Sequence, residues 1–193
     1  MFQVAINEWD IPLESNPILK VKLPKFDDKR TRRLERFEYD TIKSYCKSHQ
    51  QQELLNVIIL AVETGMRRGE LLRITKEYYN ADVGTLNIPI TKTGHPRTIP
   101  LTSKALSIVS NLEGNQVLYS KSTEGFMSAW QRLIKRTGIV DLRFHDLRHE
   151  AISRFFEMGL SVPEVALISG HRDYRMLQRY THLKPEDVAL KLS

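Results

Sequence analysis

The chain has one cysteine, Cys46, among its 193 residues, so it has no internal disulfide framework and its thiol content suits a reducing cytosol. It lacks a long apolar run. The longest, Val57–Val62, is six residues, against the ~18 that a membrane-spanning helix needs, and reads as the inside of a buried helix. The start of the sequence, MFQVAINEWD, has no basic segment leading into an apolar one, so no secretion signal is expected. Repeats, low-complexity tracts and acidic metal-binding clusters are also missing from the pattern. Together these absences argue against a secreted disulfide scaffold, a membrane span and a repeat array.

Positive charge is what the chain has. Lys and Arg total 29 against 23 Asp and Glu, a net charge of +6, which favours a polyanionic partner. Apolar residues make up 41%, enough for the core of one domain of ordinary size.

Hydrophobic spacing predicts helices over 36–48, 51–63, 102–111 and 123–135, with Gly65 stopping the second. A short helix opens near Arg67 and carries Leu71 and Leu72 inward. Strands are expected over 85–90 and 97–101, forming a β-hairpin with Lys92 at its tip, and a short strand over 116–119. A strong helix starts near His145, with Leu147, Ala151, Phe155 and Met158 as its core-facing stripe. Ser161 caps the next helix, and another carries Tyr180. The fold class is therefore mainly α with a small antiparallel β-sheet or hairpin (α+β). Residues 1–33 read as a proline-interrupted, extended basic linker, ahead of a domain over 34–193 whose last helix lies in 184–193.

Five segments carry residues suited to chemistry on a phosphodiester. SGHRDYRMLQRY holds His171 and, nine residues on, Tyr180, with Arg172, Arg175 and Arg179 between them. A phenol of pKa about 10 is a weak nucleophile at neutral pH and needs cations and donors nearby. TGMRRGELL places Arg67 at a helix start, where free N–H groups and a guanidinium fork suit phosphate, and Glu70 within one turn of it can hold that arginine. HDLRH sets His145 and Arg148 on one helix face. TKTGHPRTIPL presents Lys92, a candidate proton donor to a leaving alkoxide, with Arg97 as the weaker alternative. The run KRTRRLER, including Arg30, Arg32 and Arg33, suits phosphate contact or the polar start of a helix. His145 and His149 at i and i+4 also look like half of a zinc protease motif. However, Asp146 is too short for the usual base and no third ligand follows at a recognised spacing, so no metal is expected.

Taken in order, TGMRRGELL, TKTGHPRTIPL, HDLRH and SGHRDYRMLQRYTHL resemble the boxes of the tyrosine recombinase (phage integrase) family, over about residues 34 to 193. The resemblance implies that Tyr180 attacks a DNA phosphate in line and forms a 3′-phosphotyrosyl link. It gives Arg67, Arg148 and His171 the phosphorane, Lys92 the 5′ oxygen, and His145 assistance with proton transfer at the tyrosine. Glu70 supports, while Arg30, Arg32, Arg33, Arg97, Arg172 and Arg175 are the DNA-contact candidates. No cofactor, metal or ATP is implied. Double-stranded DNA is the expected partner, with tetrameric self-assembly through the tail after Lys184 and a cytoplasmic, nucleoid-associated setting. The family usually carries an N-terminal core-binding domain that closes around DNA, and residues 7–25 resemble its end and the linker after it. Three other readings remain open: a catalytically silent DNA-binding remnant, a type IB topoisomerase-like enzyme, and a zinc hydrolase.

Overall fold

The computed structural model describes residues 1–9, 11–22, 30, 32–89, 95–114 and 116–181. These fall into two units, Met1–Thr31 and Arg32–Ser193. The first contains a helix, α1 (Phe2–Glu8), and a 3-10 turn over Pro17–Lys20. Extended linker was expected throughout. Instead Phe2–Glu8, ahead of the first proline, Pro12, wind into a helix, and Pro17 enters at the first position of its turn, where the missing N–H costs nothing. Asn16 Oδ1 accepts from the Ile18 N–H at 3.1 Å to cap that turn.

The second unit is built around α3 (Gln52–Thr64). Leu54, Leu55, Val57, Ile58, Leu60, Ala61 and Val62 are all buried, so the helix is apolar nearly all round and is wrapped by other helices. Its neighbours are α2 (Arg36–Ser48), α5 (Ser103–Ser110), α6 (Thr123–Thr137) and α7 (Asp146–Glu157). α2 starts with a capping box between Glu35 and Glu38 and buries Ile42 and Cys46 against α3. Burial pushes the Cys46 thiol up to about 11, so it is a core side chain and not a reactive thiol. α3 ends where Gly65 turns left-handed at φ 62°, and α4 (Arg68–Leu71) follows with Arg67 as its N-cap.

The sheet has three antiparallel strands in the order β1 (Tyr79–Asn80), β2 (Thr85–Ile88), β3 (Arg97–Pro100). Leu86 pairs with Ile99 and Ile88 with Arg97, so Leu86, Ile88 and Ile99 face the core. The hairpin is as expected, with shorter strands, and β1 adds an unanticipated edge. The hairpin tip with Lys92 lies outside the described residues. The strand expected over 116–119 is a single bridge, Val117 to Thr75, because the segment only brushes the chain near Ile74. Met158 is 66% exposed and not part of the core stripe. The helix ends beneath it: Gly159 turns at φ 86° and the Leu160 N–H folds back onto the Phe155 carbonyl at 3.1 Å.

α8 (Val162–Ser169) begins with a Ser161–Glu164 capping box and ends on left-handed Gly170. A 3-10 turn (Tyr174–Leu177) leads into α9 (Gln178–Thr181). Tyr180 packs with Ala151, Ile152, Phe155, Val165, Ala166, Ile168 and Leu177 in a second apolar cluster. The tail helix expected over 184–193 lies outside the described residues. Among the described residues no helix is long and apolar enough to cross a membrane.

Candidate active site

The cleft opens where α3 stops. Its lining includes Met66, Arg67, Arg68, Gly69, Phe144, His145 and Arg148, around a volume of about 450 Å³. Arg67 reaches it because Gly65 reverses the chain and α4 restarts at once. The capping box closes the local geometry, with the Arg67 N–H donating to Glu70 Oε2 at 3.0 Å. The Arg67 guanidinium donates to Glu70 Oε1 at 3.2 Å and to the Gly170 carbonyl at 3.4 Å.

Glu70 has a second and stronger partner. Arg97 donates to both its oxygens, at 2.9 and 2.8 Å, and its Nε donates to the Ile168 carbonyl at 3.3 Å. Burial works to raise the Glu70 carboxyl. The Arg97 hydrogen bonds, the Arg67 N–H and both guanidinium charges outweigh it and hold the group below the ordinary carboxylate range. Arg97, expected among the DNA contacts, is engaged here as a brace for Glu70, with its side chain 12% exposed.

Arg148 is only 4% exposed, deeper than the core rim expected from its place beside Leu147. Its Nη1 donates to the Gly65 carbonyl at 2.5 Å, tying α7 to the end of α3. Its Nη2 lies 3.3 Å from His171 Nε2. A guanidinium only donates, so Nε2 accepts and the His171 proton sits on Nδ1. That N–H donates to Ser169 Oγ at 2.7 Å, and the hydroxyl donates to the Val165 carbonyl at 2.6 Å. Burial, then the charge of Arg67, holds Arg148 down at about 9, and burial followed by Arg148 holds His171 down at about 3. The site therefore concentrates positive charge with little carboxylate to balance it in the cleft, an arrangement suited to an anion.

His145 stands at the N-cap position of α7 without a side-chain cap bond and faces the cleft, where partial desolvation of its ring, then Arg148, lowers its basicity. Its ring meets His149 edge to face, with centroids 4.9 Å apart. His149 is itself buried, and its Nδ1 hydrogen-bonds Tyr180 Oη. Arg179 Nη2 donates to the same phenol oxygen at 2.8 Å. Burial raises the Tyr180 pKa, while Arg179 and, more weakly, Arg148 work against it.

The structure thus brings Arg67, His145 and Arg148 into one cleft, ties His171 to Arg148, and braces Arg67 through Glu70. Arg32 is bonded to Glu38, with one contact at 3.0 Å, and Arg33 to Glu150 at 2.8 Å and to Glu157. Both arginines are paired with carboxylates of the fold, Arg33 with its side chain still 41% exposed. Arg175 pairs with Asp173 at 2.8 Å, Arg172 is exposed, and Arg30 is half-buried. Sequence reasoning missed Ser169, the brace role of Arg97, and the contact of His149 and Arg179 with the phenol. The available signal is the i, i+4 spacing of His145 and His149, which puts both rings on one helix face whether or not a metal is held. Among the described residues no group of three or more His, Cys, Asp or Glu stands together to hold a metal, and His149 is committed to Tyr180.

The fold is that of tyrosine recombinase catalytic domains. It aligns with the catalytic domain of bacteriophage HP1 integrase at a TM-score of 0.67 and 21% identity, over 83% of this chain and 92% of that one. It aligns with the Tn1549 transposon integrase, solved in complex with circular intermediate DNA, at a TM-score of 0.73 and 18% identity, over 100% of this chain and 74% of that one. Residues 32–187 match the phage integrase family, and the chain belongs to it. A shufflon-specific DNA recombinase of Escherichia coli is 43% identical over 198 residues, covering 100% of this chain and 50% of the relative. The integrase of Salmonella phage P22 is 29% identical, over 97% of this chain and 52% of the relative. The chain spans about half the length of these curated relatives.

Proposed function

We propose that this chain is the catalytic part of a site-specific DNA recombinase, acting on double-stranded DNA in the cytoplasm, at the nucleoid. Tyr180 attacks the scissile phosphate, a bond forms between Oη and phosphorus, and the 5′ oxygen leaves, giving a 3′-phosphotyrosyl link. Arg67, Arg148 and His171 steady the phosphorane, Glu70 holds Arg67, and His145 assists proton transfer at the tyrosine. Lys92 protonates the 5′ oxygen. A 5′-hydroxyl from the partner strand then reverses the step, so bond energy is conserved without ATP. Residues 184–193 join subunits into a tetramer on DNA. The observation that carries this reading is the convergence of Arg67 and Arg148, 81 residues apart in sequence, on one cleft lined by His145, in a chain of this family.

The test is covalent trapping. The protein and a Tyr180→Phe control are given a library of nicked duplexes that includes the crossover sequence of the Escherichia coli relative, at low salt. Cleavage then releases a short fragment and cannot reverse. A denaturant-resistant adduct, absent from the control, is expected. DNA binding without an adduct would favour the silent remnant, and relaxation of supercoiled DNA lacking any specific site would favour the topoisomerase-like reading.

A further inference from the structure

The resemblance assigns proton transfer at the tyrosine to His145, but a different histidine touches the phenol. His149 is 7% exposed, one turn after His145 on α7, with its Nδ1 on Tyr180 Oη. The protons can be assigned by counting donors. Arg179 Nη2 stands 2.8 Å from Oη and 3.3 Å from His149 Nδ1, and a guanidinium has no lone pair to offer. Both atoms therefore face a donor. The phenol oxygen accepts from Arg179 and keeps its own hydrogen. The one acceptor beside that hydrogen in this three-membered cluster is Nδ1, so the imidazole proton sits on Nε2. A lone pair aimed at the proton to be removed, within hydrogen-bond reach, is the geometry a general base requires.

We propose that His149 is the general base of the cleavage step and that Arg179 stabilises the negative charge that develops on the phenol oxygen as its proton leaves. This rests on the recombinase reading of Tyr180. As attack proceeds, the Tyr180 O–H bond breaks and its proton passes to His149 Nδ1, making an imidazolium. The phenolic oxygen bonds phosphorus, and the bond from phosphorus to the 5′ oxygen breaks, with that oxygen taking its electron pair and a proton from Lys92. On rejoining, His149 returns its proton to the leaving phenol oxygen and each group is restored.

The surroundings agree with this role. Burial first, then His145 and Arg179, hold His149 down at about 4. The ring is therefore neutral at pH 7 with its lone pair free, yet weakly basic, so it takes the proton only together with attack. Burial raises the phenol's pKa, so full transfer before attack is uphill and the proton moves as the bond to phosphorus forms. Arg179 also lies over the Tyr180 ring, 4.9 Å from its centroid, which fixes the phenol against the cation. Stacking of His149 with the same ring, at 28° and 5.7 Å between centroids, holds the base beside it.

Substitution by asparagine separates a base from a mere anchor. Asn Oδ1 can accept the phenol's hydrogen bond near the place of Nδ1 but takes up no proton at neutral pH. His149→Asn and His149→Ala are both expected to slow adduct formation on the nicked duplex by about 10²–10⁴-fold, with DNA binding retained, and added imidazole is expected to restore part of the His149→Ala rate. An Asn variant within a few-fold of wild type would make His149 a positioning residue only and overturn the proposal. Cleavage by His149→Ala that is faster than wild type would do the same, by showing that the histidine restrains the tyrosine. Should either variant fail to fold, the wild-type protein decides: ¹⁵N correlation of its histidines is expected to show Nδ1 of His149 unprotonated, and an Nδ1–H tautomer would overturn the assignment. If wild-type protein forms no Tyr180-dependent adduct, the recombinase reading falls as well. If it does, only the His149 outcomes bear on this inference.

Discussion

Glu70 is the residue on which Arg67 and Arg97 depend. One carboxylate, 3% exposed, holds Arg97 through two bonds and Arg67 through its backbone and side chain. Removing one partner of a buried pair leaves the other charge uncompensated, at a cost of about 3–5 kcal/mol. Glu70→Ala is expected to lose stability on that scale in urea unfolding and to reduce cleavage further, because Arg67 loses its anchor. Arg97→Lys is expected to recover little, since an ammonium cannot make the paired contact. The histidines make a second residue-scale prediction. His149 and His171 have folded pKa values of about 4 and about 3, both below the ordinary 6.5. As pH falls below 6.5 the unfolded chain takes up protons that the folded chain refuses, so the stability they contribute is full above that pH and is lost progressively toward pH 4 and below. Urea midpoints measured from pH 7.5 to 4.5 are expected to fall, and His171→Gln to flatten the slope. A flat wild-type profile would mean that these rings are charged in the native state.

Between elements, glycines set the approach distances. Gly170 ends α8 at φ 73°, and a Cβ built there would lie 2.9 Å from Arg97 Cζ, with two guanidinium nitrogens at 3.0 Å. Gly138 ends α6 at φ 69° with nothing within 4 Å. Both Gly→Ala changes carry the left-handed backbone cost, of order 1–3 kcal/mol. Gly170→Ala is expected to cost more in thermal unfolding and, unlike Gly138→Ala, to slow cleavage by shifting Arg97 off Glu70. Equal effects would detach Gly170 from the brace. The contrast also shows what could be read from sequence. α2 was legible to both ends and α3 to within one residue of each, because periodicity, caps and a terminal glycine are local. The Arg148 bond to Gly65, across 83 residues, and the Arg97 pair with Glu70, across 27, are tertiary and leave no local spacing. His149 shares a helix face with His145, but nothing in the local pattern says that Tyr180 packs against it.

For the whole molecule, a net charge of +6 does not mean that every arginine of a basic run meets DNA. Arg32 and Arg33 read as phosphate contacts in sequence, yet Glu38, Glu150 and Glu157 already hold them, linking the segment before α2 to α7. The Glu157 and Glu150 bonds raise the Arg33 pKa, as expected of a cation engaged by the protein. Arg172 is exposed beside His171, in a depression shared with Arg97 and Gly170. Each phosphate neutralised releases counterions, so log K falls against log salt with a slope of about −0.9 per contact. Arg172→Gln is expected to weaken binding of a duplex and to reduce that slope by about one contact. Arg33→Gln is expected to lower the unfolding midpoint and leave the slope as it was, because the charge it removes is answered within the fold. Titrations of a fluorescent duplex at several salt concentrations would separate the two. An Arg33→Gln slope reduced as much as that of Arg172→Gln would show that the ion pairs open when DNA binds, making the Arg33 carboxylate partners competitors of the nucleic acid rather than fixed parts of the frame.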